Sequence, residues 1–233
     1  GISIIVVHGG GPRIKRELEK SKIDSKFIRG LRVTDEKIIN IVEKVLIDFN
    51  DDIVNSLNQK GSKAISIHTK NNNIIEVVPE TKELGFVGIP NNINNSFLIE
   101  IIKKNMIPII SPLGLDKNNQ TYNINGDTAA GAVAKSLKSR RLLLMTNVEG
   151  VLNKEKKLIE EISSSEILEM IKNETITEGM IPKINTCLDA VNNGVTAVGI
   201  IDGRKQHSLL FEIFSDKGSG TLIRKWQILR KWS

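Results

Sequence analysis

An apolar, β-branched run, Ile4-Ile5-Val6-Val7, stops at His8 and gives way to Gly9-Gly10-Gly11 and then Pro12-Arg13. No other segment constrains the fold as tightly. A buried strand must end here, turn on three residues without Cβ atoms, and enter a helix that Pro12 opens at its first position. Backbone amides freed by the glycines, together with the positive end of the helix, make a cradle for an anion. Three better-known glycine turns do not fit. A P-loop ends in Gly-Lys-Ser/Thr, whereas Pro12-Arg13-Ile14 stands here, and a dinucleotide fingerprint needs a glycine at Ile14. No Gly-x-Ser-x-Gly elbow occurs. The plain alternative is a strand–turn–helix corner with no ligand.

At 233 residues the chain has room for one substantial α/β domain or two lobes. No apolar run is long enough to span a bilayer, and no signal peptide is recognisable. The single cysteine, Cys187, rules out an intrachain disulfide and reads as a small core residue. His8, His68 and His207 are far apart in sequence, without the spacing of metal ligands. The net charge of +6 raises the question of nucleic acid, but aromatic residues make up only 4% and the basic residues are mixed with glutamates. A lysine-rich solvated surface is the better reading. The abundance of Asn, Lys and Ile points to AT-rich codons, as in an organellar or other AT-rich genome.

Periodicity gives the order of elements. Ile14 and Leu18 share one face of a short basic helix, and 27–35 forms an irregular link. A long helix follows, carrying Ile38, Val42, Val45, Phe49, Ile53 and Leu57 and ending at Gly61. Segments 63–69 and 74–78 read as a hairpin around an Asn-rich turn, with a short strand at 86–89. A helix at 96–103 leads to a buried strand at 107–110, a loop at 114–120, an Ala-rich helix to Ser136 and a buried strand at 141–145. Helices reach Ile171, 183–192 and 207–214, with strands at 195–201 and 221–223. This alternation predicts an α/β fold, a three-layer sandwich with a central, largely parallel sheet. The expected division is an N-lobe over about 1–138, a C-lobe over about 139–225, and an appended tail, 226–233, holding Trp226 and Trp232.

Four clusters carry chemistry. Asn123, Asn125 and Asp127 crowd a helix start, more polar side chains than one N-cap requires. Lys183 lies just inside a helix start, against the dipole, where a lysine suits an anion or is an ordinary surface residue. Arg32 or Arg29 can fork onto a carboxylate, and residue type alone does not separate them. The polar turn Asn147-Val148-Glu149-Gly150-Val151-Leu152 follows a strand, where ligands bind in open α/β sheets.

Taken together, VVHGGGP (6–12), GLRVTD (30–35), LGFVG (84–88), NINGDTAA (123–130), NVEGVL (147–152), GMIPK (179–183) and GTLI (220–223) resemble the acetylglutamate kinases of the amino-acid-kinase family. The resemblance runs to about Lys225. It implies ATP-dependent phosphorylation of the side-chain carboxylate of N-acetyl-L-glutamate, in arginine biosynthesis. It further implies that Gly10 and Gly11 donate amides near the transferring phosphoryl group, and that Arg32 and Asn123 hold the substrate's α-carboxylate end. Lys183 would stabilise charge on the ATP side and Asp127 would orient the lysines. Asn147, Val148, Glu149, Gly150, Val151 and Leu152, with Thr175, Ile176 and Thr177, would line the nucleotide site. Mg²⁺ would be held mainly by the phosphates. The implied partners are the two substrates and further copies of the chain, in a dimer or larger, with neither nucleic acid nor membrane. Plastid stroma or bacterial cytoplasm is the expected compartment.

Two departures accompany the resemblance. Kinases of the family have an earlier strand ending in Lys-x-Gly-Gly, and the sequence from Gly1 holds no such turn, so an in-frame strand is expected ahead of it. The alternative is a catalytically impaired relic that binds nucleotide or arginine. Asn147 stands where the family has an aspartate, a change that would bear on nucleotide or Mg²⁺ affinity.

Overall fold

Helix starts and sheet order between them decide where the functional side chains end up. The computed structural model describes residues 2–176, 180–215 and 218–225. The chain divides into two compact units, Gly1–Ala132 and Val133–Ser233.

In the first unit, β1 (Val6–Val7) leads into α1 (Gly11–Lys20), then β2 (Phe27–Ile28) and β3 (Leu31–Arg32). Helix α2 (Glu36–Gln59) is followed by β4 (Ala64–Ile67), β5 (Ile75–Pro79) and β6 (Gly88–Ile93). Then come α3 (Asn95–Lys103), β7 (Ile107–Ile110), β8 (Leu113–Leu115), β9 (Thr121–Asn123) and α4 (Gly126–Ser136), whose last four residues belong to the second unit. Asp35 is the N-cap of α2, its carboxylate accepting from the amides of Lys37 and Ile38 at 2.9 Å. The helix buries Ile38, Val42 and Leu46 against Ile14 and Leu18 of α1 and Leu113. Each such side chain removed from water contributes about 1.5–3 kcal/mol. Strands β1, β7 and β4 form a parallel sheet in that order, so their C-terminal ends share one edge. The glycine turn after His8 lies on that edge, where open α/β sheets bind ligands.

In the second unit, β10 (Arg141–Thr146), β11 (Glu161–Ser163), α5 (Ser164–Lys172) and α6 (Ile181–Asn192) precede β12 (Ala197–Asp202), α7 (Ser208–Phe214) and β13 (Gly220–Arg224). The sheet order is β10-β12-β13-β11; β10/β12 and β11/β13 pair in parallel, β12/β13 antiparallel. All six residues of β12 are buried, so both of its faces are covered. Gly220 pairs with Ile201, and a Cβ there would be driven into the carbonyl oxygen of Ile200. Gly220→Ala is therefore expected to cost about 3 kcal/mol, since the backbone itself must give way. Thermal unfolding should show a drop of roughly 5 °C or more; an unchanged melting temperature would refute the close approach.

The α/β class and the predominance of parallel pairing agree with the sequence. Several local readings do not. Segments 63–69 and 74–78 are not a hairpin: β4 joins β7, while β5 joins β6 and β8 in another sheet. Alternation reports which face is buried, not which strand is the partner. The irregular link at 27–35 contains the β2/β3 hairpin, turned by Arg29 (φ 49°) and Gly30 (φ 79°). The loop 114–120 is mostly the turn of a second hairpin, β8/β9, pinned by the Asp116 carboxylate on the amides of Asn118 and Gln120. The strand at 86–89 begins at Gly88 and continues to Ile93. Strand β10 is half-buried rather than buried: it is an edge strand, with Leu142 and Leu144 inside and Met145 52% exposed. The ordered opening strand is only Val6–Val7, with Ile2 and Ile4 exposed, and Pro12 is second in α1, after Gly11. In α2, Ile38, Ile39, Val42, Leu46 and Asn50 are buried, whereas Val45, Phe49, Ile53 and Leu57 are partly covered. The Trp226/Trp232 tail lies outside the described residues.

Candidate active site

Gly10 is the N-cap of α1 (φ −152°, ψ 5°) and no side chain caps that helix end. The first turn has no acidic residue, and among the described residues the amides of Gly10 and Gly11 have no acceptor. Two donors and a dipole end are thus left facing outward. A Cβ on Gly9 or Gly11 would enter open space, and one on Gly10 would strike the Leu46 side chain. In front of this turn is an open cavity of about 180 Å³, whose lining includes Gly10, Gly11, Phe27, Arg32, Asn123 and Gly126. Among the described lining residues, none but Arg32 is charged.

Arg32 comes from the inner strand of the β2/β3 hairpin and is 8% exposed. Its guanidinium lies 4.7 Å above the Phe27 ring and hydrogen-bonds the Ser25 hydroxyl. Burial draws its pKa below the usual arginine value, but guanidinium remains cationic. Arg29 occupies the exposed tip of the same hairpin, so the structure separates the two arginines that sequence left open. Thr34, fully buried, donates to the Arg32 carbonyl at 2.9 Å and receives the Asn123 side-chain amide at 3.4 Å. Neither Thr34 nor the Phe27 platform was legible in the sequence, because each acts through a neighbour brought close by folding.

The crowded helix start resolves into separate tasks. Asn125 is the cap of α4, its Oδ1 accepting from the amides of Asp127 at 3.0 Å and Thr128 at 3.2 Å. Asn123 ends β9 at the cavity, and Asp127 lies half-buried in the first turn of α4.

The remaining candidates belong to the second unit. Lys183 is the third residue of α6, whose first turn contains Pro182 and no acidic residue. Asn147, Val148, Glu149, Gly150, Val151 and Leu152 follow β10 on the edge where the parallel β10 and β12 both end, with Thr146 opposite Asp202. Thr221 Oγ1 accepts from the Val151 amide at 2.8 Å and donates to the Ile159 carbonyl at 2.7 Å, pinning the far end of the loop. Thr175 bonds Asn173 through its amide at 3.2 Å, and Ile176 is buried; Thr177 lies outside the described residues. The sequence reading passed over the turn after β12. There Arg204 forks onto Asp202 with two bonds of 2.9 Å, and Lys205 reaches Glu149 at 3.2 Å. The Arg204 side chain first, and its backbone amide second, hold the Asp202 carboxyl down to about 2. The signal was an Asp-Gly-Arg run directly after an apolar strand.

The model of the amino acid kinase family matches residues 1–202. The chain belongs to that family. Among curated amino acid kinases it is similar to the acetylglutamate kinase of Pelagibacter ubique, 61% identical over 225 residues, covering 97% of this chain and 78% of that protein. Among solved structures it is similar to smu.665 from Streptococcus mutans, with a TM-score of 0.83 and 33% identity over 95% of this chain and 86% of that one. It also shares the fold of N-acetylglutamate synthase from Neisseria gonorrhoeae, solved with coenzyme A and N-acetyl-glutamate. The TM-score there is 0.87 at 24% identity, over 97% of this chain and 53% of that one.

Proposed function

We propose that this amino acid kinase transfers a phosphoryl group from ATP to the side-chain carboxylate of N-acetyl-L-glutamate, in arginine biosynthesis. The observation that carries this reading is one cavity lined by two acceptor-free glycine amides, a buried arginine and an asparagine. Arg32 and Asn123 take the α-carboxylate end of the substrate, and Gly10 and Gly11 face the reacting end. Among the described residues that line the cavity none is acidic, so an α-ammonium would find no counter-charge from them. An acetylated amine suits that environment and free glutamate does not.

Phosphoryl transfer asks a protein for in-line positioning and for neutralisation of spread negative charge. The accepting carboxylate is already ionised near neutrality, so no general base is required. Lys183 acts on the ATP side and Asp127 orients cationic side chains. The loop Asn147-Val148-Glu149-Gly150-Val151-Leu152, with Thr175, Ile176 and Thr177, receives the nucleotide. Mg²⁺ would arrive on the phosphates and neutralise part of their charge; among the described residues no three His, Cys, Asp or Glu side chains gather as a cage. Among these residues no helix is long and apolar enough to cross a membrane. With the Pelagibacter protein as a bacterial relative, we place the reaction in bacterial cytoplasm rather than a plastid, and the chain in a homo-oligomer as the family resemblance implies.

An ATP-dependent hydroxamate assay on protein from the complete reading frame tests the reading. Acetylglutamate should give acyl hydroxamate, whereas glutamate, aspartate and carbamate should give at most about a hundredth of that rate. Comparable rates with unacetylated glutamate would sink the assignment.

A further inference from the structure

The residue that follows β1 has no part in the chemistry proposed so far, yet its side chain is fixed on every polar atom. His8 is 7% exposed, with its ring edge-on to Phe49 at a centroid distance of 5.1 Å. Its Nδ1 lies 3.0 Å from the carbonyl oxygen of Gly9. Its Nε2 lies 3.1 Å from both Asn50 Nδ2 and Ser111 Oγ.

The proton positions follow by elimination. Asn50 Nδ2 also reaches the Ile109 carbonyl oxygen at 2.9 Å, which can only accept, and Asn50 Oδ1 receives the Ser66 hydroxyl at 2.6 Å. The Asn50 amide therefore has one possible orientation, and its second N–H points at His8 Nε2. Nε2 accepts, so a neutral ring carries its proton on Nδ1 and donates it to Gly9. Burial first, and the Arg13 charge as well, outweigh the opposing effect of the Gly9 bond and pull the imidazole below its ordinary pKa, so the ring is neutral at pH 7.

In a trans peptide the C=O and N–H point opposite ways, and the described residues contain no cis bond. A Gly9 carbonyl held toward the ring sends the Gly10 N–H away from it. Three successive glycines have no side chains to set that peptide plane themselves. We propose that His8 is a positioning residue that aims the Gly10 amide into the cavity, where an oxygen of the transferring phosphoryl group would be met. His8 touches neither substrate and transfers no proton. The rigid base it needs is the Asn50, Ser66 and Ser111 network, contributed by α2, β4 and the residue that follows β7.

The proposal rests on the phosphotransfer reading, and its test is built to fail separately. Asparagine at position 8 places an N–H where Nδ1 stands but loses the contacts of Nε2. Glutamine reaches the place of Nε2 but offers no donor to Gly9. His8→Asn should keep kcat within about threefold, whereas His8→Gln should lose about tenfold or more, with both KM values within about threefold. A parallel loss of kcat in both variants, or a kcat order that follows melting temperature, overturns the proposal. The second arm needs no substrate. In unliganded protein the Gly10 amide proton resonance should stay near its wild-type position in His8→Asn and move in His8→Gln. Equal displacement in the two variants refutes the role of His8 even if acetylglutamate is phosphorylated. Retention in His8→Asn alone supports it even if acetylglutamate is not the substrate.

Discussion

Lys183→Ala is expected to lower kcat by about two to three orders of magnitude, the usual cost of one preorganised contact to developing charge. The reasoning starts from its place in α6. The third position of a helix lies within reach of the positive dipole end, where a cation is disfavoured by roughly 0.3–1 kcal/mol. A lysine at such a helix start adds little to folding and is well placed to meet an anion. Activity and stability should therefore separate: the melting temperature should change by no more than about 2–4 °C while turnover collapses. Lys183→Arg keeps the charge but not its compact form, and should recover only part of the rate. Single-turnover kinetics at saturating substrates is the measurement, and near-normal turnover in the alanine variant would remove Lys183 from the mechanism.

What sequence made legible was local. The glycine turn and the Asn-rich start of α4 each follow from residue types acting over three or four positions, and each stands at the helix start where it was expected. What sequence hid was pairing. Strand β4 and strand β5 have the same alternating pattern, and only the fold decides that one faces β7 and the other β6. The β2/β3 hairpin was overlooked because two-residue strands have no period to detect. That omission mattered for the site, since it is the hairpin that turns Arg29 outward and Arg32 inward.

Side chains acting through a neighbour were equally invisible. Thr34, bonded to the Arg32 carbonyl, meets Asn123 across 89 residues of chain, and Thr221 pins Val151 from a strand 70 residues away. Such residues have no spacing rule, because their function is defined only after tertiary packing. The fork of Arg204 on Asp202 is different. It is local, spanning two residues, and was missed because an aspartate ending a strand looks like a turn residue first.

Arg32→Ala should raise the KM for acetylglutamate by about 10- to 100-fold, the equivalent of a charge-assisted hydrogen bond of roughly 1.5–3 kcal/mol. The KM for ATP should stay within about threefold, because the lining of the cavity includes Arg32 and the glycine turn but none of the loop assigned to nucleotide. Lysine is a poor replacement. It keeps the charge but cannot stack flat on Phe27 at 4.7 Å while presenting two parallel donors to a carboxylate. Arg32→Lys should therefore recover less than half of the lost binding energy. Removing the platform alone, with Phe27→Ala, should move the acetylglutamate KM in the same direction by a smaller factor, about two- to fivefold, as an exposed cation–π contact is worth about 0.5–1 kcal/mol. Initial-rate kinetics with each substrate varied at saturation of the other separates these outcomes. Equal increases in both KM values for Arg32→Ala would mean that the arginine holds the turn together rather than the substrate.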